Sequence, residues 1–197
     1  LGGVTLPSLE KDTFITYPYR TVNFNSSTSN VVVIYMPKNG CLHVLDPERG
    51  HATIYDNIAD SFTQAIPLSD PSRILVNPAQ PAQPIFFSEP KPNWCYYFTR
   101  AELSNQQGDY QTATALGAEA LTAGFEPEDP REWLVFIEAY AMHEDVDQAV
   151  QLSKTALAED KKMLKAVCIV WEQIQAQGPE RGAEEVKSAR LRLGCNP

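Results

Sequence analysis

The feature that most constrains this chain is a small residue that recurs through its second half. Gly108-Asp109-Tyr110-Gln111-Thr112-Ala113 reads as a turn glycine opening a helix, an aromatic two places on and an alanine three later. Asp145-Val146-Asp147-Gln148-Ala149 repeats the roles of Tyr110 and Ala113 with Val146 and Ala149. From Ala113 to Ala149 is a step of 36 residues, and from Ala149 to Ala183, in Arg181-Gly182-Ala183, a step of 34. Self-similarity at a fixed period of this length marks supersecondary units stacked in series. Alanine suits such positions because two helices can approach closely there, where a larger side chain would hold them apart. Ala120 and Ala156 repeat the logic one helical face later.

The pattern predicts three helical hairpins: residues 94–107 with 109–123, 130–143 with 146–159, and 161–177 with 180–193. Pro130 and Pro179 fall where proline is tolerated, in the first turn of a helix. The period and the small residues resemble tetratricopeptide repeats, whose unit is about 34 residues. The resemblance covers residues 94–193. It departs from the family in the first helices of the later units, where Ile137 and Trp171 stand at places usually small, so those units are expected to pack more loosely or at another angle. It implies a three-hairpin solenoid whose first helices line a concave groove. In that register the groove is lined by Phe98, Glu102, Asn105 and Gln106, then Arg131, Glu138 and Met142, then Lys165, Glu172 and Gln175. So mixed and polar a surface suits a peptide or protein segment.

Composition changes sharply before the repeats. Pro78, Pro81, Pro84, Pro90 and Pro92 crowd one stretch, each fixing φ and removing an amide donor, so neither helix nor central strand fits there. This gives three parts: a small α+β domain at 1–77, a Pro-rich linker at 78–92 and the helical repeats at 93–197. In the first part, Tyr19 to Phe24 and Val31 to Met36 are β-rich runs separated by the polar cluster Asn25 to Asn30. Cys41 to Leu45 follows Asn39-Gly40, a pair suited to the positive φ of a tight turn. Three antiparallel strands are expected. Ile54, Ile58, Phe62 and Ala65 lie at helical spacing and predict a covering helix over 53–66, and Arg73 to Val76 a short further strand. The fold class is α+β, sheet and helix first, all-α repeats after.

A hydrophobic fraction of 43% against 21% charged residues is ordinary for a folded chain. The net charge of -9 repels a phosphate backbone, and no Lys/Arg stripe overrides it, so nucleic acid is excluded as a partner. The longest apolar runs fall far short of the roughly 20 residues a membrane span needs. Gly-x-Ser-x-Gly, phosphate-cradling glycine loops and His-Glu-x-x-His are absent. His43 and His51 near Cys41, Asp46 and Glu48 offer a metal-dependent hydrolase reading, since Cys-x-His on a strand sets two ligands on one face; third and fourth ligands are missing, so neither metal nor cofactor is expected. Glu126, Glu128 and Asp129 read as helix-start acids. Trp94, Tyr96, Tyr97 and Phe98 read as a core cluster before a sugar-stacking platform. Cys168, on an apolar helix face, reads as a buried thiol.

Gly40-Cys41-Leu42-His43-Val44-Leu45-Asp46, Trp94-Cys95-Tyr96-Tyr97-Phe98, Gly108-Asp109-Tyr110 and Trp133-Leu134-Val135-Phe136-Ile137-Glu138 together resemble the soluble C-terminal region of bacterial polytopic membrane proteins related to glycosyltransferases. The opening Leu1-Gly2-Gly3, without Met, fits an excised or processed piece. The resemblance implies an extracytoplasmic domain tethered through segments outside this chain, with a cytoplasmic scaffold as the alternative. An oxidising setting would join Cys41 to Cys95, stapling the sheet domain to the first helix. The expected function is therefore a non-catalytic protein or peptide interaction module. A substrate- or sugar-contacting accessory domain of a membrane glycosyltransferase is the second reading, with carbohydrate as its ligand.

Overall fold

The computed structural model describes residues 10–55, 58–74, 91–178 and 182–195. They gather into two compact units, one within Leu1–Tyr35 and Val44–Ala79, the other within Met36–His43 and Gln80–Pro197. The class is α+β, with two small antiparallel sheets and eight α-helices among the described residues.

The first unit opens with a two-stranded ladder, β1 (Phe14–Tyr19) and β2 (Val22–Ser27), in which Tyr19 pairs with Val22. Arg20 and Thr21 are therefore the whole turn, and Arg20 takes φ 56. The run from Tyr19 to Phe24, expected as one strand, is thus a reversal. A two-residue hairpin needs positive φ to match strand twist, and here an arginine supplies it. Of the polar residues expected to turn, Asn25 to Ser27 extend β2, Thr16 Oγ1 donating to Asn25 Oδ1 across the ladder at 3.0 Å, while Thr28 to Asn30 do turn, Asn30 N donating to Ser27 O at 3.0 Å. Thr28, buried, closes the base by donating to Glu10 O (2.6 Å) and accepting from Thr13 N (2.8 Å).

A second ladder joins β3 (Val33–Tyr35) to β4 (His43–Leu45), so the expected three-stranded sheet is two separate pairs. The expected helix over 53–66 is also divided, into α1 (His51–Ile54) and α2 (Asp60–Ala65). Tyr55 leaves helical geometry at φ -109, ψ 28, and Ala59 is extended at ψ 143. Covering of the sheet survives the break: Tyr35 of β3 meets Tyr55 and Phe62 edge-on at 5.8 and 5.7 Å, beside buried Val33, Leu45, Ile54 and Ile66. Pro71–Arg73 is a 3-10 turn capped by Asp70, not the start of a strand. Leu75 and Val76 lie outside the described residues, as does the Pro-rich linker up to Pro90.

The second unit carries six helices, α3 (Trp94–Gln106), α4 (Tyr110–Thr122), α5 (Trp133–Met142), α6 (Val146–Glu159), α7 (Leu164–Gln177) and α8 (Ala183–Arg192). They pack as α3 with α4, α5 with α6 and α7 with α8, while α3 also meets α5, α4 meets α5 and α5 meets α7. Asp109 and Asp145 cap α4 and α6, accepting from Thr112 N at 3.0 Å and Gln148 N at 3.1 Å. The preceding turns are superimposable in their bonding. Gly108 N and Asp109 N donate to Asn105 O and Ser104 O, and Glu144 N and Asp145 N donate to Ala141 O and Tyr140 O.

Ala113, Ala120, Ala149 and Ala156 are fully buried, as close helix approach requires. Ala183 is exposed: it is the first residue of α8, whereas Ala113 and Ala149 are the fourth of α4 and α6. The fourth residue of α8 is Val186, which is buried, so the third repeat is read three residues too early from its alanine. Large side chains in the first helices are received by small ones opposite. A Cβ on Gly117 of α4 would stand 2.6 Å from the ring of Phe136, and Ser153 of α6 accepts from Trp171 Nε1 at 2.9 Å. Ile137 and Trp171 are accordingly fully buried rather than loosely packed.

Cys168, expected as a thiol, is bonded to Cys195. Gly194 at φ 80 turns the chain after α8 so that Cys195 N donates to Arg190 O and the sulfur reaches α7. The two equivalent turns generate a prediction. Glu144 holds φ 65 where Gly108 holds φ 74, a conformation costly for any side chain. Glu144→Gly should raise stability by about 0.5–1 kcal/mol, read as a higher urea midpoint at unchanged slope; a lower midpoint would refute the strain.

Candidate functional site

Residues 36–43, the connection from β3 and the first residue of β4, belong to the helical unit, and Gly40, Cys41 and His43 lie against α3 and the turn before α5. Gly40 makes this possible, for a reason other than turn geometry: its φ is not positive, but a Cβ there would lie 2.6 Å from Pro37 Cγ and 2.8 Å from Glu132 Oε1. One residue on, Cys41 is bonded to Cys95 in the first turn of α3, with Cα atoms 5.1 Å apart. Cys41 N donates to Glu132 Oε1 at 2.6 Å, and Trp94 Nε1 donates to Glu132 Oε2 at 2.5 Å. Glu132 is fully buried and ends the 3-10 turn that leads into α5, where the helix dipole favours negative charge.

His43 completes the cluster. Its ring meets Phe98 edge-on at 4.9 Å, Nε2 lies 3.9 Å from Glu132 Oε1 and Nδ1 lies 4.0 Å from Glu102 Oε1. Trp94 stacks edge-on with Trp133 and Phe136, both at 5.3 Å. Asp129, which caps the turn, accepts from Arg131 N at 3.0 Å and from its guanidinium at 2.6 Å. Burial pushes the Glu132 carboxyl up to about 7, against the pull of the two donors. Burial lowers His43 to about 4, against the attraction of Asp129. Asp129 is itself half-desolvated, yet the Arg131 bonds hold it below the usual carboxylate range. At neutral pH the imidazole is neutral and Glu132 is poised between its two forms. With both groups shut from solvent, the chemistry open to the cluster is hydrogen bonding and proton storage.

The expected groove residues divide three ways. Phe98, Glu102 and Asn105 are buried, correcting their assignment to an open wall: His43 covers Phe98 and Glu102, and Asn105 Nδ2 donates to Val135 O of α5 at 2.7 Å. Gln106, Arg131, Glu138 and Met142 are half-buried, with Arg131 turned onto Asp129. Lys165, Glu172 and Gln175 are exposed on α7. Gln175 also lines a cleft of about 360 Å3 between the α5–α6 turn and the α7–α8 pair, walled by Ala141, Val146 and Ile174 and edged by Glu144 and Glu185.

His51 does not join His43; its Nδ1 accepts from Asp46 N at 2.9 Å inside the first unit. Among the described residues no group of three His, Cys, Asp or Glu side chains is placed to hold a metal ion. Trp94 and Phe98 are core, while Tyr96 is exposed under the Arg100 guanidinium, 5.1 Å from its ring centre. Glu132 escapes sequence reasoning because it follows a run of helix-start acids and looks like one more. No protein-family model, curated protein or solved structure matches the chain.

The two shifted groups oppose one another with pH. Glu132, raised in the folded state from 4.5, contributes stability below pH 4.5 that is lost as pH rises to about 7. His43, lowered from 6.5, contributes stability above pH 6.5 that is lost as pH falls to about 4. Each is worth on the order of 3 kcal/mol and they nearly cancel across the shared window. Glu132→Gln should therefore unmask a profile rising from pH 4 to 6.5, and His43→Gln one falling from pH 4.5 to 7. Urea unfolding across that range checks both; flat profiles in both variants would overturn the assignment.

Proposed function

We propose that this chain is a non-catalytic module whose helical pairs form a tetratricopeptide-like solenoid and hold extended polypeptide. The observation that carries the reading is the chain's own segment 41–43, which lies against α3 with Cys41 N bonded to Glu132 and His43 against Phe98. Beyond the turn at 38–40, residues 41–43 do there, in cis, what a bound peptide does in the groove of a helical-repeat protein: they present a backbone amide and spaced side chains to α3 and the turn before α5. The recurrent contacts of α3, α5 and α7, each also packed on its own second helix, support the stacking.

On this reading the first third of the groove is filled and the remainder is the working surface. Glu138, Met142, Lys165, Glu172 and Gln175 line it, and the cleft edged by Glu144 and Glu185 accepts a basic side chain of the partner. The second reading, a sugar-contacting accessory role beside a membrane glycosyltransferase, draws on one feature, the exposed Tyr96 edge-on to Tyr97 at 5.3 Å. The peptide reading is preferred because a cleft with charged edges carries it.

The test is an array of extended peptides with and without Lys or Arg, probed with the full chain. Basic peptides should bind, and Lys165→Glu with Glu172→Lys should change affinity at least about tenfold, while Glu119→Lys, an exposed change on α4, should not. Equal effects from both, or no peptide bound, would refute the proposal.

We also propose that the module stands outside the cytoplasm as part of a larger membrane-tethered protein. Two disulfides among four cysteines support an oxidising setting, since such bonds rarely persist where glutathione keeps thiols reduced. Protein isolated with its thiols trapped should yield none free on unfolding. Four free thiols would make the cytoplasmic scaffold the better reading.

A further inference from the structure

The β1–β2 hairpin has a face that no other part of the described structure covers. Alternation puts Ile15, Tyr17 and Tyr19 of β1 on one side together with Val22, Phe24 and Ser26 of β2, and the register sets Tyr17 against Phe24 and Tyr19 against Val22. Tyr17, Tyr19, Val22 and Phe24 are 55%, 53%, 53% and 58% exposed. The other side carries Thr16, Pro18, Asn23, Asn25 and Ser27, with Phe14 near its base. Among described residues no other helix or strand packs extensively on either strand. A two-stranded ladder is marginal in water unless its apolar face is covered, so the face needs an occupant.

Charge and area choose between occupants. In a chain with 25 acidic residues, the stretch from Thr13 to Pro37 contains none, and its one charged residue is Arg20, at the hairpin tip. The Arg20 guanidinium lies 5.5 Å from the centre of the Tyr19 ring. Glu10, Lys11 and Asp12 sit at the opposite, open end. The three rings and the valine, each about half exposed, offer on the order of 400 Å2 of apolar surface, from the 150–250 Å2 that an aromatic side chain can bury. A stable protein interface takes about 800 Å2 from each partner, so this face is too small to hold a second copy or a folded protein alone. A bilayer surface sets no such requirement. Tyrosine rings partition to the headgroup boundary with the hydroxyl in water. Charges beyond a Debye length of about 10 Å are screened, so the Arg20 cation, at a tip without acidic neighbours from Thr13 to Pro37, meets anionic lipid although the chain as a whole is acidic. The unpaired outer edges of the two strands would forfeit hydrogen bonds in hydrocarbon, which limits entry to the headgroup region.

We propose that the β1–β2 hairpin is an interfacial anchor that lays its Tyr17, Tyr19, Val22 and Phe24 face into a membrane surface containing anionic lipid, tip first. The surface uses none of the residues assigned to peptide binding, so either reading can fail alone.

The test is co-sedimentation of the full chain with phosphatidylcholine vesicles, with and without phosphatidylglycerol. The chain should bind the anionic vesicles. Tyr17→Ser with Phe24→Ser should weaken binding at least about tenfold, Arg20→Ser by several-fold, and Thr16→Ser with Asn25→Ser on the opposite side should leave it unchanged. All these positions are exposed, and unchanged far-ultraviolet dichroism controls for folding. Phe24→Trp should add a component whose emission shifts to shorter wavelength with anionic vesicles. Absence of vesicle binding, or binding indifferent to the Tyr17 and Phe24 changes, would overturn the anchor. So would self-association in the absence of lipid that those changes abolish, which would assign the face to a second copy.

Discussion

One carboxylate organises the helical unit. Glu132 takes a backbone amide from the 36–43 segment on one oxygen and the Trp94 indole of α3 on the other, while sitting at the entry to α5. Three stretches far apart in sequence are thus referred to a single buried group. Removing it would leave two donors without an acceptor, each costing about 1–3 kcal/mol in a closed interior. That penalty, more than the net strength of either bond, makes the arrangement specific: an alternative docking of the segment would have to find new partners for both. Gly40 is the necessary companion, since any side chain there would meet the same carboxylate.

The disulfides act on a different quantity. Cys41–Cys95 closes a separation of 54 residues and Cys168–Cys195 one of 27, so loop-closure entropy assigns them about 4 and 3.5 kcal/mol through the unfolded chain. They say little about which packing wins within the folded unit. The Cys41 bond does have a local consequence, because it keeps the amide of Cys41 within reach of Glu132 and so raises the effective concentration of that contact. Covalent and polar fastenings coincide at the same residue.

What the sequence made legible follows from how local each determinant is. The fully buried Ala113, Ala120, Ala149 and Ala156 depend on one facing helix, and these emerge from spacing alone. The β1–β2 turn does not, because Arg20-Thr21 carries none of the usual glycine or asparagine signal for positive φ. Ala183 misleads because the connection into α8 is longer than the one into α6, so the period drifts while the residue type persists. Cys168 hides its partner because only the left-handed Gly194 brings Cys195 back. The buried Phe98, Glu102 and Asn105 were assigned to an open groove because helical register reports which way a side chain faces, and says nothing of what non-local segment lies over it. Over Phe98 and Glu102 that segment is the chain's own, through His43.

That occupancy bears on what the remaining surface can recognise. The covered side of α3 buries its polar groups in fixed pairings, His43 beside Glu102 and Glu132, and so is closed to exchange. Lys165, Glu172 and Gln175 of α7 stay exposed, and Gln175 lines a cleft whose edge carries Glu144 and Glu185. Glu144 is held there in a left-handed backbone that glycine would adopt at less cost, as Gly108 does in the equivalent turn. The stability of the turn does not account for a carboxylate held at the edge of a cleft in this backbone conformation. The acidic excess of the chain is spread over many exposed positions, so this one carboxylate is distinguished by the strain that holds it rather than by its charge.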